Sequence, residues 1–107
     1  MKGYEFLPEA EEEMNEAARF YERRKEGLGL EFLNEVQRTI TSILAHPQSG
    51  PAVSPNIRRR ILRRFPFGVL YAIDEKKDKK DKKIVVVAVA HLKRRPGYWK
   101  ERIGKDV

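Results

Sequence analysis

Cysteine is absent from the 107 residues of the chain, which excludes disulfide bonds and thiolate metal ligands. This absence agrees with a reducing compartment, and we expect a cytoplasmic protein. The chain has two histidines, His46 and His91, and neither has a second ligand at the spacing of a metal site. We therefore expect no metal ion and no cofactor.

Long apolar runs are missing as well. The longest, Ile84 to Ala90, is far shorter than the roughly 20 residues that a membrane-spanning helix needs. The segment from Met1 to Glu5 becomes acidic where a secretion signal would become apolar. These features predict a soluble intracellular protein without a membrane partner.

Basic residues are in excess, with a formal net charge of +7 and an isoelectric point near 9.8. Such an excess favours an anionic partner, which includes nucleic acid, the ribosome, an acidic protein and a membrane surface. A soluble protein that is merely basic is the plainer alternative, and charge alone does not decide. The length and the apolar fraction of 40% suit one domain, residues 1–107, with one modest core.

Two amphipathic helices are predicted in the first half of the chain. The first begins at Pro8, because proline is tolerated at the first helical position, and Gly27 and Gly29 end it. The second runs from about Leu30 to Ala45 and stops before Pro47. Their short connection predicts an antiparallel hairpin whose apolar faces need a sheet to cover. The buried stripe of the first helix consists of Ala10, Met14, Ala17 and Tyr21.

Four strands are predicted around this hairpin. They are Tyr4–Leu7, the arginine-rich Ile57–Phe65, Val69–Ile73 and Ile84–Ala90. The last is a continuous, mostly β-branched run, which is typical of a central strand covered on both faces. Residues 48–56 contain proline and glycine and are predicted to form a loop.

The order β-α-α-β-β-β predicts an α+β fold, in which a twisted, mainly antiparallel sheet packs on an antiparallel helix hairpin. One helical turn is expected in the tail, between Tyr98 and Ile103. The residues predicted to form the core are Phe6, Met14, Tyr21, Phe32, Leu33, Val36, Ile40, Ile43, Leu44, Leu62, Leu70, Ile73, Val85, Val87 and Val89.

Four charged segments are candidates for function. Arg58–Arg64 carries arginines, which bind phosphate or carboxylate in a bidentate manner, although a charged strand also protects a sheet edge. His91–Trp99 combines an imidazole, two guanidiniums, a phenol and an indole, a set that suits RNA, an acidic protein surface, or simple capping of the core. The lysine-rich segment Lys76–Lys83 is predicted to be a solvated loop. The acidic segment Glu9–Glu13 is predicted to be a solvated first helical turn rather than a catalytic carboxylate pair.

Three features together resemble a known family. They are the opening strand and helix hairpin, the segment Arg63-Arg64-Phe65-Pro66-Phe67-Gly68-Val69-Leu70-Tyr71, and Ala88-Val89-Ala90-His91 followed by Arg94-Arg95-Pro96 and Tyr98-Trp99. Over nearly the whole chain they resemble the RelE/ParE superfamily of toxins, often called plasmid stabilization proteins. The resemblance implies a compact toxin that is neutralised by an antitoxin encoded beside it. RelE-like members cleave mRNA in the ribosomal A site without a metal, whereas ParE-like members poison DNA gyrase.

The match to the RelE-like members is incomplete. Cleavage by attack of a 2′-hydroxyl needs a proton acceptor, a proton donor and cations on the developing charge. The resemblance implies an arginine where this chain has Gly68, and two basic residues where it has Arg59 and Ile61. These departures favour the ParE side. If the chain is nevertheless a nuclease, its candidate catalytic residues are Arg59, His91, Arg94, Arg95 and Tyr98.

We therefore hypothesise a ParE-like toxin of a type II toxin–antitoxin system that binds and inhibits DNA gyrase. A RelE-like endoribonuclease acting on ribosome-bound mRNA and a non-toxic, basic nucleic-acid-binding module are the alternatives. The net charge predicts that the antitoxin contributes an acidic C-terminal segment, docked beside the helices or at a sheet edge. The residues expected to bind the target are Arg59, Arg63, Arg94, Arg95 and Trp99.

Overall fold

Two α-helices and five strands make up the part of the chain that the structure, a computed structural model, describes: residues 3–74 and 83–103. The elements in chain order are β1 (Gly3–Phe6), α1 (Pro8–Arg24), α2 (Leu28–Ala45), β2 (Ala52–Ser54), β3 (Ile57–Ile61), β4 (Phe67–Asp74), β5 (Lys83–His91) and a 3₁₀ helix (Lys100–Ile103). The predicted segment Lys76–Lys83 lies outside these residues except for Lys83.

The strands form one sheet in the order β1-β5-β4-β3-β2. β1 pairs with β5 in parallel, and the other three pairings are antiparallel. The helix hairpin packs on one side of this sheet, mainly through α1 against β5. The predicted α+β fold with a mainly antiparallel sheet is therefore confirmed.

Both faces of β5 are covered, as its unbroken apolar run predicts. Ile84, Val86 and Val89 pack in the cluster that contains the helices, whereas Val87 and Ala88 pack in a second cluster on the opposite face. Two successive residues face the same way because the pairing of β4 with β5 shifts register between Leu70 and Tyr71. The tail, through Trp99 and Ile103, covers this second face.

The predicted core residues all lie in the core, but some of them are only half-buried. Half-buried positions are Phe6, Met14, Tyr21, Leu33, Leu44, Ile73 and Val85, and the rest of the predicted core is buried. The prediction left out Tyr71, which is fully buried although it carries a hydroxyl. That hydroxyl donates to the Pro47 carbonyl at 2.6 Å and accepts from the Gly50 N–H at 3.3 Å, which satisfies it.

Two predictions about glycine-rich and proline-rich segments are wrong. Gly29 does not end the first helix, because α2 already begins at Leu28 and Gly29 is buried inside it. Gly27 does mark the boundary, with a φ of +87°. The predicted loop at residues 48–56 contains the short edge strand β2. This strand could not be predicted, because it has only three residues and no alternation of apolar and polar side chains.

Gly29 allows the two helices to approach closely. A Cβ atom at this position would lie 2.5 Å from the Ala18 carbonyl oxygen on α1. The Glu22 carboxylate also reaches across to accept the N–H groups of Gly27 and Gly29, at 2.9 Å each. The two helices are therefore held together by close packing at Gly29 and by the Glu22 carboxylate, which caps the start of α2.

The arginine strand ends earlier than predicted, at Ile61 rather than Phe65. Leu62 and Phe65 turn into the core, and the backbone between them is held by Glu35 of α2, which is 4% exposed. Glu35 accepts the N–H groups of Arg63 and Arg64. A buried carboxylate thus replaces the strand ladder at this turn, and nothing in the local sequence pattern of Glu35 indicates it.

We predict that Gly29→Ala destabilises the protein. Alanine normally favours a helix over glycine, but here its methyl group would collide with the backbone of α1, which cannot rotate away. Overpacking of this kind costs about 1–3 kcal/mol of unfolding free energy, which urea denaturation measures. The matched control is Asn34→Ala at an exposed position of the same helix. Equal or greater stability of Gly29→Ala would contradict the close approach.

Candidate target-binding site

A pocket of about 230 Å³ opens on the sheet face opposite the helices, where β3, β4 and β5 meet the tail. We call it the sheet-face pocket. Six of the predicted site residues line it, namely Arg59, His91, Arg94, Arg95, Tyr98 and Trp99. Residues that are 40 positions apart in sequence are thus brought together by the β3–β4–β5 pairings.

Arg59 lies at the base of this pocket and is only half exposed. Its side-chain carbons run across Gly68, where an added Cβ would lie 3.1 Å from Arg59 Cγ and Cδ. Gly68 therefore gives Arg59 its path over the sheet. The Arg59 Nε atom is buried and has no hydrogen-bond partner within residues 3–74 and 83–103. Leaving such a donor unpaired typically costs about 1–3 kcal/mol.

A tight turn presents the two consecutive arginines at the rim. Gly97 has a φ of +78° and follows Pro96, and the Tyr98 N–H donates to the Arg95 carbonyl at 3.3 Å. Proline followed by a glycine with positive φ is the pattern of a type II turn. Arg94 and Arg95 are exposed on this turn, and Lys100 folds its side chain back along Gly97.

His91 is held by its own backbone environment. Its Nδ1 accepts the Lys93 N–H at 3.0 Å, so the neutral ring carries its proton on Nε2. The ring also packs edge-on against Phe67 with centroids 5.2 Å apart. The nitrogen that a general base would use is therefore already occupied.

Tyr98 is bonded to Glu13 of α1. Its hydroxyl donates to Glu13 Oε2 at 2.6 Å, and the Arg94 guanidinium stacks 3.9 Å from the ring centroid. Burial and the hydrogen bond to Glu13 both raise the pKa of Tyr98 well above its ordinary value. Tyr98 therefore keeps its proton, and the structure uses it to position Arg94.

Glu13 forms the centre of a charged network that the sequence does not indicate. Arg102 binds both of its carboxylate oxygens, at 2.6 and 2.9 Å, and the Val89 N–H donates to it at 3.0 Å. Burial raises the pKa of Glu13, but the hydrogen bonds from Arg102, Tyr98 and Val89 outweigh it and leave the pKa below its ordinary value. The prediction of a solvated Glu9–Glu13 turn is therefore wrong for Glu13.

The remaining predicted site residues differ in position. Trp99 is 5% exposed and packs with Leu70 and Val87 beneath the pocket, so it supports the site rather than presenting its ring. Arg63 does not join the sheet-face pocket. It lines a second cavity of about 380 Å³ between α2 and the end of β3, which we call the helix-side groove.

Basic residues dominate the helix-side groove. Arg60 reaches the hydroxyls of Ser42 and Ser49 at 3.0 and 2.8 Å, and Arg64 pairs with Glu31 at 3.0 Å. The groove also exposes the apolar side chain of Ile61, which is 51% accessible. Its lining residues are Glu35, Arg38, Thr39, Ser42, Arg60, Ile61, Arg63 and Arg64.

The family model of the ParE toxin of type II toxin–antitoxin systems, parDE, matches residues 4–96. The chain belongs to the ParE toxin family. The matched span contains both helices, strands β2 to β5, all of β1 except Gly3, and the rim arginines Arg94 and Arg95. The resemblance seen in the sequence is therefore confirmed on its ParE side.

Solved structures that resemble this ParE-family chain include one titled "Chromosomal ParDE TA system from P. aeruginosa". The similarity covers 86% of this chain and 97% of that one, with a TM-score of 0.58 and 16% sequence identity. It supports the fold. No curated protein matches the sequence. Within the described residues, neither helix has the length and apolar character to cross a bilayer, and no cluster of His, Cys, Asp or Glu is suited to a metal ion.

We predict that Glu13→Gln destabilises this ParE toxin by about 2 kcal/mol, because it removes the negative charge that pairs with Arg102 in a partly buried site. Since the pKa of Glu13 is lowered by folding, its contribution is present above its ordinary value of 4.5 and is lost as the pH falls through the folded value. Urea denaturation at several pH values measures both effects.

The control for this prediction is Glu12→Gln, the neighbouring residue, whose pair with Arg19 is exposed on both sides. Its effect should stay within about 1 kcal/mol. The Glu13→Gln variant should also lose part of the wild-type decline in stability below pH 4.5. Identical acid profiles for the variant and the wild type would show that Glu13 is not the carboxylate responsible.

Proposed function

We propose that this ParE toxin inhibits DNA gyrase by protein–protein contact in the cytoplasm, with Arg94 and Arg95 as its principal contacts. The observation that carries the proposal is that the residues of the sheet-face pocket fall into two groups, one bonded internally and one exposed. The groups able to transfer protons are committed to internal hydrogen bonds, whereas the rim cations are exposed. Such a surface suits binding rather than bond cleavage.

The proposed contact does not use nuclease chemistry. His91 and Tyr98 do not offer the free acceptor that a 2′-hydroxyl attack requires, because Nδ1 of His91 accepts the Lys93 N–H and Tyr98 donates to Glu13. Gly68 supplies no cation, and losing one transition-state donor typically costs a factor of about 100 to 1,000 in rate. These features weigh against the RelE-like alternative.

The rim arginines suit an acidic protein surface. Arg94 is oriented by the Tyr98 ring and lies 3.8 Å from Glu13, and 54% of its side chain is exposed. A guanidinium that is held in place loses less rotamer entropy on binding than a free one. The Pro96–Gly97 turn fixes the backbone that carries both arginines, so the two side chains are preorganised for binding.

A toxin of this system has an antitoxin as its partner, and we propose that an acidic antitoxin segment docks in the helix-side groove. Arg38 and Arg63 line the groove without an acidic partner in the described chain, and Ile61 adds an exposed apolar side chain among them. Arg63, which we first expected to bind the target, is assigned here to the antitoxin because it lies apart from the sheet-face pocket.

We predict that Arg94→Glu combined with Arg95→Glu abolishes gyrase inhibition, measured as the toxin concentration that halves DNA supercoiling. Each lost charged contact at an interface typically costs about 2 kcal/mol or more, so the pair should raise this concentration at least about 100-fold. His91→Ala should change it by less than about threefold, because no proton transfer is involved.

The matched control for charge is Arg23→Glu combined with Lys25→Glu, two exposed positions at the end of α1 that give the same change in net charge. This control should retain inhibition within about threefold. Cleavage of mRNA on programmed ribosomes that is lost with His91→Ala would instead establish the nuclease alternative and refute the proposed function.

We also predict that Arg38→Glu combined with Arg63→Glu weakens antitoxin binding at least about tenfold, because both substitutions place negative charge opposite an acidic segment. The affinity of the wild-type protein should fall with added salt, since exposed charges are screened. Calorimetric titration with the cognate antitoxin measures both. Binding that ignores salt and these substitutions would place the antitoxin elsewhere on the fold.

A further inference from the structure

We propose that the sheet-face pocket binds a terminal phosphate group, with Arg59 as its central ligand. The starting observation is the Arg59 guanidinium itself. Its Nε atom is buried without a partner, and no hydrogen bond or ion pair to this side chain forms within residues 3–74 and 83–103. A partly buried cationic side chain is normally paired, so an anion reached by the terminal nitrogens of Arg59 would supply the partner that the described residues do not.

The lining of the pocket supplies positive charge without any compensating carboxylate. Arg59, Arg94, Arg95 and Lys100 all line it, and its described lining contains no Asp or Glu. The nearest carboxylate contact is that of Glu13 with Arg94 at 3.8 Å, and Glu13 is already shared by Arg102 and Tyr98. The cations of the pocket are therefore available to a ligand.

The number of donors favours phosphate over a carboxylate. A carboxylate offers two oxygens and one negative charge, which suffice for one bidentate arginine. Four cations and His91 line this pocket, and a terminal phosphate, with three free oxygens and a charge between −1.5 and −2, satisfies more of them than a carboxylate does. Arg59 would bind through its terminal nitrogens, because its Nε atom is buried.

The size of the pocket points to a small ligand. Its volume of about 230 Å³ lies below the roughly 300–1,000 Å³ of sites that enclose drug-sized molecules. Inorganic phosphate and the phosphate end of a nucleoside monophosphate share the required chemistry. A chain of internal phosphodiesters carries one charge per group and has no terminal phosphate to fill the base of the pocket.

This inference goes beyond the proposed function, because contact with gyrase through Arg94 and Arg95 does not require an anion on Arg59. The two ideas separate experimentally. Arg59→Gln should weaken phosphate binding whatever its effect on gyrase, and the double reversal of Arg94 and Arg95 should abolish inhibition whether or not phosphate is present.

The test is a titration of the purified full chain at neutral pH, in a buffer free of phosphate and carboxylate, followed by the arginine Nε–H signals in NMR. Inorganic phosphate and a nucleoside 5′-monophosphate are added separately, and both should shift the Arg59 signal. Tighter binding of the monophosphate would identify a nucleotide as the source, whereas equal binding would identify free phosphate. Acetate and a dinucleoside monophosphate should bind at least about tenfold more weakly.

Two variants identify the residues responsible. Arg59→Gln should weaken phosphate binding at least about tenfold, and Arg23→Gln, at an exposed arginine with the same change of charge, should leave it within about twofold. Gly68→Ala removes no charge but places a methyl group against the Arg59 side chain, so it should also weaken binding. Thermal melting confirms that each variant is folded.

Three results would overturn the proposal. One is an Arg59 signal that does not move with phosphate. Another is equal weakening by Arg23→Gln and Arg59→Gln, which would reduce the effect to net charge. The third is binding of acetate or the dinucleoside monophosphate as tight as that of phosphate, which would make the pocket a carboxylate or polynucleotide site.

Discussion

The rest of the structure depends on the bidentate ion pair between Glu13 and Arg102, which joins α1, β5 and the C-terminal tail. β1 ends at Phe6, so this edge of β5 beyond Val86 has no strand beside it among residues 3–74 and 83–103. Glu13 accepts the Val89 N–H, and Arg102 donates to the Val87 carbonyl at 3.1 Å. A helix and the tail thus supply side chains where a strand is missing, which protects a central strand from exposing its backbone.

The same pair determines how the cationic residues are arranged. Because the tail is tied to α1, Tyr98 lies under Arg94, and the turn at Pro96–Gly97 holds both rim arginines above Arg59. Other arginines have protein partners, as Arg64 has with Glu31 and Glu35. The arginines are therefore divided between those that bind other parts of the fold and those that face outward at the sheet-face pocket or the helix-side groove.

Periodicity predicted the parts of the fold that depend on it. The helices α1 and α2 and the central strand β5 follow from helical spacing and from an unbroken β-branched run, and the gathering of His91 to Trp99 near Arg59 follows from strand order. Long-range polar contacts were not predictable in this way. Glu35 and Glu13 look like ordinary helix-surface acids, and only their distant partners, 28 to 89 residues away, make them structural.

The parallel pairing of β1 with β5 has a consequence for when the chain can fold during its synthesis. Gly3 pairs with Lys83, so the first strand finds its neighbour only after 80 further residues exist. At a synthesis rate of 5–20 residues per second, this delay is about 4 to 16 s. Contacts of such separation also form late, because loop closure must precede them. A chain interrupted before β5 cannot complete the sheet, so truncated products of translation lack the sheet-face pocket.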